Sequence, residues 1–296
     1  LRELVPTHEL AFQVLEREAV KFNEFQRFPL LKGLDWLLTN FKPHNPEREL
    51  QIGLFRVPVP RVEPGAFREA VANAVVHRDY HRLGAIHVRL DDQGMTISNP
   101  GGLVDGVTLA NLLTTEPRPR NRALADALKR IGIVERTGRG VDKIYRGMLR
   151  FGRPEPNYRR TDTNNVVLQL ATEDADEAFL KLVVDQEAKQ QRELPIDSLI
   201  ALAALRELKR LSTEELARHI QREPAQAKRT LEALVEAGLA QAHGHARGRS
   251  YTLALGVYQA DGRQADYTRQ LGFSSLQHEQ MVLSYVRQHG RIKRAE

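Results

Sequence analysis

Apolar and polar positions change period several times along this chain, and each change marks an element. Residues 8–16 read as a strand, and residues 28–41 carry apolar side chains at helical spacing. Residues 50–59 read as a second strand. A helix is predicted behind Glu63-Pro64-Gly65 and should run to about His77. Proline suits the first helical position because its missing N–H costs nothing there. Residues 85–90 alternate as a strand, Asp91-Asp92-Gln93-Gly94 makes a hairpin turn, and residues 95–98 return as the paired strand. Asn99-Pro100-Gly101-Gly102 is expected to break it. After a loop containing Pro and Arg, helices are predicted over residues 121–131 and from Gly138-Arg139-Gly140 to about Phe151. Residues 165–170 close the region as a strand. Strands and helices mixed with antiparallel pairing imply an α+β domain.

Residues 172–195 are rich in Glu, Asp, Gln and Lys and read as a linker, partly helical at most. The pattern then shifts to short helices. Residues 196–209 form an apolar-striped helix. Ser212 or Thr213 caps a second helix, with Glu215 as the capping-box partner of Ser212. It runs to Ile220, and Arg222-Glu223 makes a turn. Pro224 opens a third helix that Gly238 ends. On this helix Ala227, Leu231, Leu234 and Val235 share one face, while Gln226, Lys228, Arg229 and Thr230 are expected to face outward. Such first turns are what a recognition helix offers to a major groove. A strand at 239–242, a basic Gly-containing tip at 243–249 and a strand from residue 250 follow, so Arg247 and Arg249 are placed on a wing for phosphate or minor-groove contact. The pattern predicts a winged helix-turn-helix over 196–256 that binds double-stranded DNA. A dimerisation module of the same shape is the alternative. Residues 276–289 resemble the first helix of another such unit, so 257–296 are expected to begin a second, incomplete module.

Composition adjusts this picture slightly. Net charge is +6, which suits a polyanionic partner. The chain has no cysteine, which excludes disulfides, thiolate metal sites and thiol nucleophiles. Neither a run of 18 apolar residues nor a signal-peptide core is present, so a cytoplasmic chain with no membrane partner is expected. The start without Met and the abrupt end predict a piece of a longer protein.

The helix over 64–77 carries a second message. Phe67, Ala70, Val71, Ala74 and Val75 share one face, and Glu69, Asn73 and His77 fall at i, i+4 and i+8 on an adjoining stripe. An amide oxygen suits Mg²⁺ as a hard ligand, and a carboxylate one turn away can orient or deprotonate a water. Glu-x-x-x-Asn alone has little specificity, and a solvated helix face is its bland reading. The order of later motifs adds weight: Ile97-Ser98-Asn99-Pro100-Gly101-Gly102-Leu103, then Arg118-Pro119-Arg120-Asn121, then Thr137-Gly138-Arg139-Gly140-Val141 opening a helix. Backbone N–H groups at a helix N-terminus bind phosphate, and glycine allows close approach.

This series resembles the GHKL (Bergerat-fold) ATP-binding domains. More closely, together with Glu69 to Asn73 and His77-Arg78-Asp79-Tyr80, it resembles the RecG-like C-terminal ATP-binding domain of bacterial transcriptional regulators. There a Schlafen-type AlbA-like domain usually precedes and winged helices often follow. The resemblance covers roughly residues 50–170 and implies a GHKL-like α/β sandwich, which with an N-terminal extension makes a domain over residues 1–171, with ATP and Mg²⁺ as cofactors. It implies Glu69 as a general base, Asn73 as the Mg²⁺ ligand, and His77, Asn99, Gly101, Gly102, Gly138, Arg139 and Gly140 as nucleotide-binding positions. Asn99 stands where the family has Asp, and Leu103 where it has Gly, which weakens adenine specificity. A helicase motor is excluded by the lack of a Walker A sequence, and no separate phosphoacceptor helix pair for a kinase is evident. Arg118, Arg120 and Arg122 form a basic lid segment, read either as solvated charge or as a phosphate or DNA contact.

Three functions stay open. The preferred one is a DNA-binding transcriptional regulator, a homodimer in one version, whose GHKL-type domain binds ATP and thereby modulates DNA binding or assembly. The second is a DNA-associated ATPase of weak turnover, and the third an oligomerisation scaffold with a degenerate pocket.

Overall fold

The computed structural model describes residues 5, 8–52, 55–134, 139–245, 248–254 and 257. β1 (Leu10–Glu16) and β2 (Ala19–Gln26) form a hairpin turned by Arg17 and Glu18, both at positive φ. The sequence has no Asn-Gly or Asp-Gly there, and β2 is an exposed edge with faint alternation, so pattern alone does not reveal it. α1 (Leu30–Phe41) buries Gly33, Leu34, Leu37 and Phe41, the expected stripe. The single strand expected over 50–59 is instead two: β3 (Glu47–Ile52) and β4 (Phe55–Pro60), paired antiparallel. Each is an edge of a two-stranded sheet, where Pro58 and Pro60 are tolerated despite lacking N–H groups.

α2 (Pro64–His77) begins as predicted, with the Glu63 carboxylate accepting from the Ala66 N–H. β5 (Ile86–Asp91), β6 (Gly94–Pro100), α3 (Arg122–Arg130), α4 (Gly140–Leu149) and β7 (Asn165–Ala171) follow. β6 does not break at Asn99. Asn99 and Pro100 stay in register with Val166 and Asn165 of β7, which keeps the strand straight through the motif.

The main sheet has the order β2-β1-β5-β6-β7, with β1 and β5 parallel and the other pairs antiparallel. Phe12, Val88, Ile97 and Leu168 point to one face, where they pack against Leu37, Phe67, Val71, Ile144 and Met148 of α1, α2 and α4. The Phe41 and Phe67 rings stack 3.9 Å apart. The opposite face carries polar residues such as His87, Arg89 and Gln169. The result is a mixed α+β domain.

Residues 172–195, expected as a linker, contain α5 (Glu177–Gln190). Asp176 caps it by accepting from the Phe179 N–H at 3.0 Å. Phe179, Leu180 and Val183 are buried, and Arg206–Asp176 and Arg150–Glu187 ion pairs at 2.6 and 2.8 Å tie the helix to its neighbours. Its narrow apolar stripe is diluted by polar residues in a composition average, which is why it reads as a linker.

The C-terminal part comprises α6 (Ile196–Leu208), β8 (Leu211–Ser212), α7 (Thr213–His219), α8 (Pro224–Glu236), β9 (Ala240–His243) and β10 (Ser250–Leu253). The strands order as β8-β10-β9. The capping box is complete: the Glu215 N–H donates to Ser212 Oγ, and the Ser212 N–H donates to Glu215 Oε2 at 2.7 Å. α4 is shared between two cores. Ile144 and Met148 face the sheet, whereas Tyr145 and Leu149 pack with Leu199, Leu202 and Leu231. The further helix expected over 276–289 lies outside the described residues. Among the described residues no helix is long and apolar enough to cross a membrane.

Candidate functional site

α2, β6 and the start of α4 converge on a cleft of about 200 Å³. Glu69, Asn73 and His77 line it from α2, Asn99 from β6, and Gly102 and Gly140 from the two glycine motifs. Six residues singled out in the sequence therefore share one cavity. The helical stripe brings the first three together, because α2 is sandwiched between the sheet and α4 and nearly all its faces are covered.

Glu69 is 4% exposed. Its carboxylate lies where a Cβ at Gly140 would stand, so glycine at the head of α4 is required for their approach. Asn99 is 3% exposed, and its Nδ2 donates to the Pro100 carbonyl at 3.3 Å. His77 is held neutral: burial first, then the Arg120 guanidinium, pushes its pKa down to about 4. The ring lines the cleft uncharged near neutral pH.

Two predicted residues sit elsewhere. Gly101 donates its N–H to the Asn164 carbonyl, at φ +95, and a Cβ there would meet that of Asp79 at 2.7 Å. Its role is close backbone packing. Arg139 is exposed at the N-cap of α4, outside the cleft lining. Gly138 lies outside the described residues.

A segment over residues 103–119 covers the cleft and is called the lid below. Val104, Val107, Leu112, Leu113 and Arg118 line the cavity from it. The arginines of the lid motif divide by role. Arg118 lines the cleft, and Arg122 is exposed at the head of α3. Arg120 instead donates to the His77 and Gly102 carbonyls at 3.0 and 2.8 Å, and Asn121 Nδ2 donates to the Val76 and Arg78 carbonyls at 2.8 Å. The bonds to Val76, His77 and Arg78 satisfy carbonyls left open at the C-terminus of α2. Arg78, fully buried, donates to the Arg82 and Gly84 carbonyls at 3.2 and 2.6 Å and lies over the Tyr80 ring. The motif residues after α2 thus hold the helix end in shape.

Pattern reading missed Lys129 of α3 and Asp142 of α4, which also line the cleft. Asp142 has its pKa raised by burial, against the opposing pull of Arg222 and Arg139. A basic residue in the last turn of α3 and an acidic one in the first turn of α4 are ordinary helix-end choices, so nothing local marked them.

The cleft brings the Asn73 amide and the head of α4 to one cavity, groups that could meet an ion and a phosphate. Among the described residues no cluster of three His, Asp or Glu could hold a metal alone. Mg²⁺ is ordinarily held by one or two protein oxygens plus phosphates, which Asn73 beside a helix N-terminus matches.

In the C-terminal part Lys228 and Arg229 are exposed on α8. Lys228 and Arg249 both approach Glu232 at 3.8 Å, and Arg249 lies over the Tyr251 ring. Gln226 is half-buried, donating to Asp197 Oδ2 at 3.3 Å and accepting from Arg229. Thr230, expected to face outward, is only 6% exposed. Its position three residues after Ala227 and four before Leu234 puts it on the apolar side of α8. Arg247 lies outside the described residues.

Residues 84–170 match the family model described as "Putative ATP-dependent DNA helicase recG C-terminal". The match covers β5 to β7 and begins after Glu69 and Asn73. The crystal structure of the DIP2311 protein from Corynebacterium diphtheriae is similar to this chain, with a TM-score of 0.75 at 25% identity over 86% of it. This chain covers 53% of that protein, about half its length. A MarR family transcriptional regulator from Silicibacter pomeroyi matches at 22% identity over 36% of this chain and 78% of its own. Its TM-score is 0.20. No curated protein matches.

Proposed function

We propose that this chain is part of a DNA-binding transcriptional regulator in which a divergent GHKL-type domain binds ATP–Mg²⁺ and a winged helix-turn-helix binds double-stranded DNA. One observation carries the reading: Glu69, Asn73, Asn99 and Gly140, from three separate elements, meet in a single cleft. In this reading the Asn99 side-chain oxygen accepts from the exocyclic amine of adenine while its Nδ2 stays on the Pro100 carbonyl. Asn73 offers its oxygen to Mg²⁺, which neutralises phosphate charge when bound. The N-terminus of α4, with Lys129 and Arg118 nearby, receives the phosphates. The DNA-binding half rests on the order of α6, α7, α8, β9 and β10 and on the exposed Lys228 and Arg229 with half-buried Arg249 beside them.

Calorimetric titration of ATP–Mg²⁺ into the full chain tests the pocket. Saturable binding that weakens about tenfold or more in Asn73→Ala and in Asn99→Ala, ~1.4 kcal/mol each, is expected. No saturable heat in the wild type overturns it. Fluorescence anisotropy with a labelled duplex, with and without ATP–Mg²⁺, tests the other half.

The burial of Glu69 against Gly140 favours a second reading, slow ATP hydrolysis with Glu69 as general base. Phosphate release that vanishes in Glu69→Gln supports it, and no release above background with DNA present removes it.

A further inference from the structure

The lid is not held by its own domain alone. Gln221, in the turn between α7 and α8, donates Nε2 to the Leu109 carbonyl at 2.9 Å, and its Oε1 accepts the Leu113 N–H at 2.8 Å. One side chain of the C-terminal part thus grips the lid backbone at two points, four residues apart. Gln221 adopts φ +55, a left-handed conformation that a residue with a Cβ rarely takes. Glycine or asparagine is the ordinary choice for such a turn, so the glutamine is held there against its backbone preference. Leu113 lines the cleft and also packs against the core of the C-terminal part. Val141, in the first turn of α4, does the same. Arg222, the next residue in the turn, bonds Asp197 at 3.2 Å, and Gln226 of α8 bonds the same carboxylate.

The cleft measures about 200 Å³, below the roughly 300–1,000 Å³ of ligand pockets in general. A nucleotide that fills it presses on the lid residues that line it, Leu113 among them. Of the lid residues that line the cleft, Leu113 is the one that both Gln221 and the second core hold. Resting on the nucleotide reading above, we infer that Gln221 is a positioning residue that ties the lid to the α7–α8 turn, so that filling the cleft and placing α8 are thermodynamically linked. The link runs both ways: whatever bias ATP–Mg²⁺ places on α8, a ligand on α8 places on the lid. Such coupling needs only that the lid positions before and after filling hold the turn differently.

Gln221→Gly separates this role from a structural one. Glycine adopts the same φ without the Cβ penalty, so the fold is kept while both lid bonds are removed. In the full chain, amide exchange over residues 104–117 is expected to run about tenfold faster in the variant, with an unchanged or higher thermal midpoint. In the wild type ATP–Mg²⁺ should change affinity for a duplex about fivefold or more, and in Gln221→Gly less than about twofold. Equal lid exchange in the two proteins overturns the inference. So does a wild type that binds both ATP–Mg²⁺ and duplex with affinities independent of each other, or a variant that keeps the full nucleotide effect. A wild type that takes up no ATP–Mg²⁺ overturns the proposed function together with the linkage, and the nucleotide titration alone distinguishes that case.

Discussion

α2 and α8 start alike and end in opposite environments. Each opens on Glu-Pro, with Glu63 and Glu223 at the N-cap and Pro64 and Pro224 as first helical residues. α2 then buries nine residues, Glu69 among them, while α8 buries four. The polar stripe of α2 turns inward to the cleft, and that of α8 turns outward, where Lys228 meets a surface carboxylate. Burying a polar group is costly unless it is satisfied, so an inward stripe needs the supporting bonds that Arg120 and Asn121 give the helix end. An outward stripe needs no such support. α2 is therefore shaped by burial and desolvation, whereas α8 presents charge to solvent.

The largest expected effect lies at the buried end of α2. Arg78→Met leaves the Arg82 and Gly84 carbonyls without their donor. The expected loss is about 3 kcal/mol, since each unsatisfied group costs ~1–3 kcal/mol. A melting temperature lower by roughly 10 °C, read by differential scanning calorimetry, is the corresponding result.

His77 gives the next effect, through pH. Its pKa is depressed in the folded chain to about 4, by burial and then by Arg120, against 6.5 for the free side chain. The unfolded chain therefore binds the extra proton first as pH falls, and stability drops between pH 6.5 and about 4. The span corresponds to ~3 kcal/mol at most. His77→Gln should flatten that part of a urea-denaturation pH series, and an unchanged slope would contradict the burial argument.

The two N-caps differ in their bonding. Glu63 accepts from the Ala66 N–H, whereas Glu223 makes no side-chain cap bond. Glu63→Ala should cost about 1 kcal/mol and Glu223→Ala less than ~0.5 kcal/mol in denaturant melts. The smallest stability change belongs to the double reversal Lys228→Glu, Arg229→Glu, within about 0.5 kcal/mol. Its effect should appear in duplex affinity, with the salt slope reduced by about 1 for each phosphate that α8 no longer neutralises.

Much of the chain is legible by period. α2, its proline start, the β5–β6 hairpin and the Ser212–Glu215 capping box all stand where local rules place them, because each is decided by residues a few positions apart. β2 and α5 are not legible in this way. An exposed edge strand alternates weakly, and a helix whose narrow stripe packs between two neighbours looks polar on average. Thr230 misleads because its polarity suggests solvent, while its helical position belongs to the apolar side.

Sequence alone determined α2 with its polar stripe Glu69-Asn73-His77, the β5–β6 hairpin, the Ser212–Glu215 capping box and the basic positions Lys228 and Arg229 of α8. Those depend on spacing and capping within single segments. Only the tertiary structure decided that Asn99 and Gly140 join that stripe in one cleft, that Gly101, Arg120 and Arg78 serve packing, and that Gln221 reaches the lid 108 residues away in sequence. These choices depend on which faces are left to meet when the sheet, α4 and the C-terminal helices pack together, and no local period carries that information.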